Sequence, residues 1–232
     1  MRTRPALVKR SKACYSWAFS IRTGSTMINL GNPRIHLASR SPRRRELLRQ
    51  IGVHFDSIVF REPPRHDPEV DETPHPDEAP AAYVERLARA KAGHGWAIVD
   101  WRKLPLQPVL AADTTLDLDG QIVGKPRDTD DAQGILRRLS GQTHRVLTAV
   151  ALAFDGRVES MLSVSEVRFR ALDDIEIWRY VASGEPMDKA GAYAIQGHAA
   201  CFVEHLTGSH SGVMGLPLFE TAALLKRFGH PL

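Results

Sequence analysis

The chain has 232 residues, 43% of them hydrophobic and 25% charged, which is enough to bury one full core and too apolar for disorder throughout. Its formal net charge of +4 comes from one end: residues 1–26 carry six of the 31 lysines and arginines and no acid, so the rest, with all 27 acids, is close to neutral. A broad nucleic-acid-binding surface is therefore not expected, and no apolar run approaches membrane-spanning length.

Residues 1–33 read as a disordered extension or, up to residue 26, as sequence upstream of a start at Met27. The apolar stretch from Cys14 to Ile21 is short and broken by serines, unlike a secretory signal. The domain proper is expected over 34–232. Cys14 and Cys201 are the two cysteines and lie far apart, which suits a reducing, cytoplasmic setting and no disulfide framework.

From residue 34 onward strand and helix patterns alternate, which predicts an α/β domain with a mixed sheet and flanking helices. An apolar strand from Ile35 to Ala38 runs into a serine-rich corner, and Ser41-Pro42 opens a helix with Arg43, Arg44 and Arg45 in its first turn. Helix N-termini carry partial positive charge, so three arginines there oppose helix stability unless a polyanion docks against them. A second strand is expected at Phe55–Phe60, followed by a long acidic, proline-rich loop over 61–80. A helix at about 81–95 aligns Val84, Leu87, Ala88 and Lys91 on one stripe. Lys91 then either snorkels from the rim of a core or faces a pocket.

Pro108–Ala112 reads as a buried strand ending at Asp113-Thr114-Thr115, where a carboxylate can hold Mg²⁺ or Mn²⁺ or accept a proton from water. Asp113 can equally be a turn cap. A hairpin about Asp119-Gly120 leads to Gly124-Lys125-Pro126, which fails as a P-loop because the spacing is one residue short and Pro126 stands where a magnesium-binding hydroxyl is needed. Thr129 is expected to cap a helix ending at Ser140-Gly141. Strands at about 143–154 and 157–169 meet at Asp155-Gly156, a helix covers roughly 173–182, a strand 200–206, and a last helix begins at Pro217. Glu72 is a possible second metal ligand or simply a solvated loop charge. The histidines show no zinc spacing, and Gly208-Ser-His-Ser-Gly212 has histidine where a nucleophile elbow needs serine. Clustered arginines, fixed lysines, loop carboxylates and no nucleophile suit hydrolysis of a phosphoric anhydride.

Seven segments, in order, resemble the Maf family of nucleotide pyrophosphatases: Ala38-Ser-Arg-Ser-Pro-Arg-Arg-Arg-Glu-Leu-Leu48, Val70-Asp-Glu-Thr73, Ala112-Asp-Thr114, Gly124-Lys-Pro126, Leu139-Ser-Gly-Gln-Thr143, Asp188-Lys-Ala-Gly-Ala-Tyr-Ala-Ile-Gln-Gly197 and Gly215-Leu-Pro217. The resemblance covers about 34–229. Arg61–His66 is an apparent insert in this pattern, and Ala111 replaces a glycine usual before Ala-Asp-Thr.

The resemblance implies a fold like that of inosine-triphosphate pyrophosphatases, two lobes around a deep cleft, a homodimer, a divalent metal (Mg²⁺ or Mn²⁺), and cleavage of a nucleoside triphosphate to monophosphate and pyrophosphate. It makes Asp113 the proton acceptor, sharing the metal with Glu72. Lys91 and Lys125 then hold phosphates, together with the Ser39, Arg43 and Arg44 region, while Arg43, Thr114 and Gln196 occupy positions used for base choice. The 188–197 segment is similar to the branch acting on dTTP and UTP. An amide such as Gln196 offers one donor and one acceptor, matching the O4 and N3–H edge of uracil and thymine. The alternatives are action on 7-methyl-GTP or another modified nucleotide, and a non-catalytic regulator of septum formation.

Overall fold

The computed structural model describes residues 33–58 and 70–232; the expectations for residues 1–32 and for the insert at 61–66 lie outside them. β1 (Arg34–Leu37) leads into α1 (Pro42–Gln50), whose cap is Ser41, with the hydroxyl accepting from the Arg44 N–H. Then follow β2 (His54–Ser57), α2 (Pro80–Trp101), β3 (Val109–Leu118), β4 (Gln121–Val123), α3 (Thr129–Leu139), β5 (Thr143–Phe154) and β6 (Arg157–Phe169). The chain closes with α4 (Asp174–Ala182), three 3-10 turns between Glu185 and Phe202, β7 (Val203–Thr207), α5 (His210–Met214) and α6 (Leu218–Arg227). The described residues from Arg34 to Leu232 form one compact unit.

One seven-stranded sheet runs in the order β2-β1-β3-β5-β6-β7, with β4 added beside β3. β1 is parallel to β2 and β3, and every other pairing is antiparallel, so the sheet is mixed as expected. The long β5–β6 pair keeps register from Thr143↔Arg168 to Phe154↔Arg157, closed by the left-handed Asp155 and Gly156 that a tight hairpin requires.

Several boundaries differ from the sequence reading. β3 does not stop before Asp113 but continues through it to Leu118, because Thr114, Thr115 and Leu116 suit a strand flanked on one side by β5 throughout. Asp128, not Thr129, caps α3, its carboxylate accepting from the Asp131 N–H at 2.8 Å. α2 extends to Trp101, β7 starts at Val203, and the five-residue α5 was not foreseen.

Alternation along β3 and β5 separates the packing. On one face, Leu110, Ala112, Val150 and Leu152 join α1 and α6 in one apolar cluster, while Leu116, Leu118 and Val146 join α3 and α4 in another. Thr114 and Thr148 stand between the two, their hydroxyls 3.0 Å apart. On the other face, Val109, Ala111, Leu147 and Ala149 pack against Val84, Ala88 and Ala92 of α2. The cleft opens at this boundary for a topological reason. β1 pairs with β3 only at Val109 and Leu110, and β4 begins at Leu116, so residues 111–115 have neither neighbour on that edge.

Candidate active site

The gap in the β3 edge is flanked by the turn after β1, which carries Ser39 and leads to Arg43 and Arg44, and by the turn after β4, which carries Lys125. All nine residues expected at the site (Ser39, Arg43, Arg44, Glu72, Lys91, Asp113, Thr114, Lys125 and Gln196) line one cavity of about 1030 Å³.

Strand alternation sends Asp113 to the α2 side. There Lys91 Nζ lies 2.6 Å from Asp113 Oδ1 and 2.5 Å from Glu72 Oε1, so two carboxylates from separate segments converge on one cationic point. The inward lysine of the α2 stripe thus faces the pocket, with its side chain 18% exposed. Burial alone would raise the Glu72 pKa, but Lys91, with Lys125 and Arg44 behind it, holds it below the ordinary value.

The Glu72 loop is held by α2. Arg86 forks onto Glu78 with two bonds of 2.7 Å and donates to the carbonyls of Asp71 (3.4 Å) and Thr73 (3.1 Å). Tyr83 donates to the Glu72 carbonyl at 2.9 Å. Burial, then Asp113 and Glu72, push the Tyr83 phenol up to about 12. Tyr83 and Arg86 stand at i and i+3 of a helix facing an acidic loop, but nothing local pairs them with residues 71–73.

On the other face of β3, Arg44 donates to Gly215 O (2.7 Å), Thr114 Oγ1 (3.3 Å) and Ser39 Oγ (3.4 Å), which ties the turns after α5 and β1 to β3. Its guanidinium loses affinity for the proton through burial, partly offset by Asp113. Arg43 lies beside it in the cavity wall, likewise lowered by burial and supported by the charge of Glu185.

Lys189 was not singled out in the sequence. Its side chain is 13% exposed, pairs with Asp188 and lines the same cavity. Burial and then the charge of Arg43, with Lys125 adding to it and Glu185 opposing, bring its pKa down to about 8. A buried lysine whose charge is further disfavoured by two neighbouring cations marks a place where an anion is wanted. The signal was present in the Asp188–Gly197 segment, but a lysine beside an aspartate ordinarily reads as a surface pair.

Asp113 and Glu72 could hold a divalent cation. They present their oxygens to a shared position already filled by positive charge, and one or two carboxylates completed by phosphate oxygens and water form the usual magnesium set. Among the described residues, no cluster of three or more His, Cys, Asp or Glu side chains offers a closed metal cage. Among the same residues no helix is long and apolar enough to cross a membrane.

The chain matches the family model described as Maf-like protein over residues 34–228. It is 66% identical over 196 residues to a protein of Dechloromonas aromatica, covering 84% of this chain and 98% of that one. It is 64% identical over 200 residues to a protein of Aromatoleum aromaticum, covering 86% and 97%. A protein of Nitrosomonas europaea is 54% identical over 203 residues, covering 88% and 98%. All three relatives are named dTTP/UTP pyrophosphatase. The solved structure of the Staphylococcus aureus Ham1 protein aligns with a TM-score of 0.46 and 15% identity, covering 84% of this chain and 97% of that chain. On the family match and the identity of these relatives, the chain belongs to the Maf-like protein family.

Proposed function

We propose that this protein is a dTTP/UTP pyrophosphatase, releasing the nucleoside monophosphate and pyrophosphate. The observation that carries the chemistry is Lys91 Nζ held between Asp113 and Glu72 in a cavity that Arg43, Lys125 and Lys189 also line. Cations and carboxylates lining one cavity suit a triphosphate whose charge must be neutralised while water is activated. The 51–66% identity to proteins of that name over nearly their whole length supports the substrate.

In this reading Arg43, Lys125 and Lys189 take up the polyphosphate, and Lys91 orients Asp113 through their 2.6 Å contact. Asp113 accepts the proton of a water that attacks one phosphorus of the α–β anhydride; the bridging P–O bond breaks, and the leaving oxygen departs with its electron pair. Asp113 and Glu72 would hold Mg²⁺ or Mn²⁺, which supplies Lewis-acid polarisation of the phosphate oxygens when bound. Gln196, exposed at the rim, reads the uracil or thymine edge, with Thr114 and Arg43 beside the nucleotide. The homodimer and the cytoplasmic setting expected from the sequence belong to the same proposal.

The test is purified protein against a panel of ordinary and modified nucleoside triphosphates, 7-methyl-GTP included, with and without Mg²⁺ or Mn²⁺. Monophosphate and pyrophosphate from dTTP and UTP ahead of CTP are expected. A preference for 7-methyl-GTP, or binding without turnover, would overturn the reading. Sedimentation velocity tests the dimer.

A further inference from the structure

Gln196 sits at the tip of a turn closed by the Gly197 N–H bonding to Ala194 O at 2.9 Å. The residues leading to it, Ala192 to Ile195, are buried, while Gln196 itself is exposed. That path needs left-handed backbone at Gly191 (φ 72°) and also at Ala192 (φ 58°), a conformation a non-glycine residue holds only when its surroundings impose it.

Two side chains outside the cavity wall hold the turn that follows. Tyr180 on α4 accepts from the Ala194 N–H at 3.2 Å and donates to Glu185 Oε1 at 2.9 Å. Glu185 Oε2 accepts from the His198 N–H at 3.2 Å. One Tyr–Glu pair therefore grips the backbone two residues before and two residues after Gln196. Gly197 makes this possible, since a Cβ there would stand 2.3 Å from Glu185 Oε1. Glu185 also lends negative charge to Arg43 and Lys189.

We infer that Tyr180 and Glu185 are positioning residues for base selection: the pair fixes the Gln196 amide at one depth and angle in the cavity, and discrimination between pyrimidine bases depends on it. The inference rests on the reading of Gln196 as the residue that meets the base. A hydrogen-bonding site rejects the wrong base strongly only when its polar groups cannot swing away to satisfy themselves elsewhere. Without the grip, the turn gains that freedom while Asp113, Lys91 and the phosphate cations stay in place.

Tyr180→Phe is the decisive variant, because it removes one hydroxyl and keeps the ring against Phe202, 5.1 Å away. Steady-state kcat/KM is measured for dTTP, UTP and CTP, with a thermal melt on each protein. The expected result is a loss of about tenfold in the dTTP/CTP and UTP/CTP ratios, with the dTTP kcat changed far less, on the scale of one misplaced hydrogen-bonding group. Glu185→Gln keeps a single carbonyl oxygen for two donors and falls between Tyr180→Phe and wild type. A lowered melting temperature with unchanged ratios in both variants would make the pair a structural brace and overturn the inference. Wild-type enzyme with no dTTP/UTP preference would overturn the reading of the site and this inference together; a wild-type preference that survives Tyr180→Phe overturns this inference alone.

Discussion

Gly95 touches Val109 at a distance no side chain could share: a Cβ on Gly95 would lie 2.8 Å from Val109 Cγ1 and 3.1 Å from the Ala38 Cβ. α2 thus rests directly on β3 and on the turn after β1, one helical turn beyond Lys91. That closeness sets how far the lysine reaches. Gly95→Ala gains helix propensity but forces the two elements apart, at a cost of about 1–3 kcal/mol. Urea unfolding should show the loss, and kcat/KM should fall with it because Lys91 retreats from Asp113.

Asp113→Asn keeps the shape of the side chain and its place on β3 but removes the proton acceptor. Pyrophosphate release should drop by about 10²–10⁴-fold, the range for loss of a positioned general base. The melting curve should stay close to wild type. Wild-type turnover in this variant would refute the assigned role.

Lys189 gives a pH signature. Its folded pKa of about 8 lies below its ordinary 10.5, so between these values the folded lysine is neutral while the unfolded one is still charged. The unfolded chain then binds more protons, and stability rises with pH across that window as the burial penalty on the charge is relieved. Affinity for a polyanion moves the other way. Plotted against pH, kcat/KM for dTTP should decline as pH rises through about 8, and Lys189→Met should flatten that limb while lowering the plateau. An unchanged limb in the variant would assign the titration elsewhere.

Arg86 gives a test of loop positioning. Arg86→Met removes the fork to Glu78 and the bonds to the carbonyls of Asp71 and Thr73, leaving Tyr83 as the remaining α2 contact to the Glu72 backbone described above. A displacement of Glu72 by an ångström should lower kcat/KM by roughly 10–100-fold. Limited proteolysis should cut within 71–79 faster than in wild type. In the wild type the fork holds the Glu78 carboxyl down to about 2, so its stabilisation is complete above the ordinary 4.5 and disappears as pH falls through about 2.

Local chemistry made much of this molecule readable in advance. The Asp155-Gly156 turn and the alternation on either side located β5 and β6 to the residue, and Ser41-Pro42 located α1. Lys91 on an apolar stripe left two readings open, a snorkelling rim residue or one facing a pocket, and the structure has it lining the cavity. Other features resisted because their cause is remote in sequence. Whether β3 ends at Asp113 depends on its pairing with β5 from Val109 to Asp117, which the run Ala-Ala-Asp-Thr-Thr does not encode. Arg86, Tyr180 and Glu185 act through backbone groups of loops up to fifteen residues away, and such pairings leave no periodic trace.

The interrupted edge of β3 bears on solubility as well as on catalysis. Unpaired strand backbone ordinarily invites a foreign chain to add itself, the first step toward aggregation. Here the vacancy at residues 111–115 is stoppered at one end by β1 and at the other by β4. Too short a berth remains for an intruding β-segment, and Ala111, Ala112, Asp113 and Thr115 are buried as well, so the interruption does not make the protein sticky.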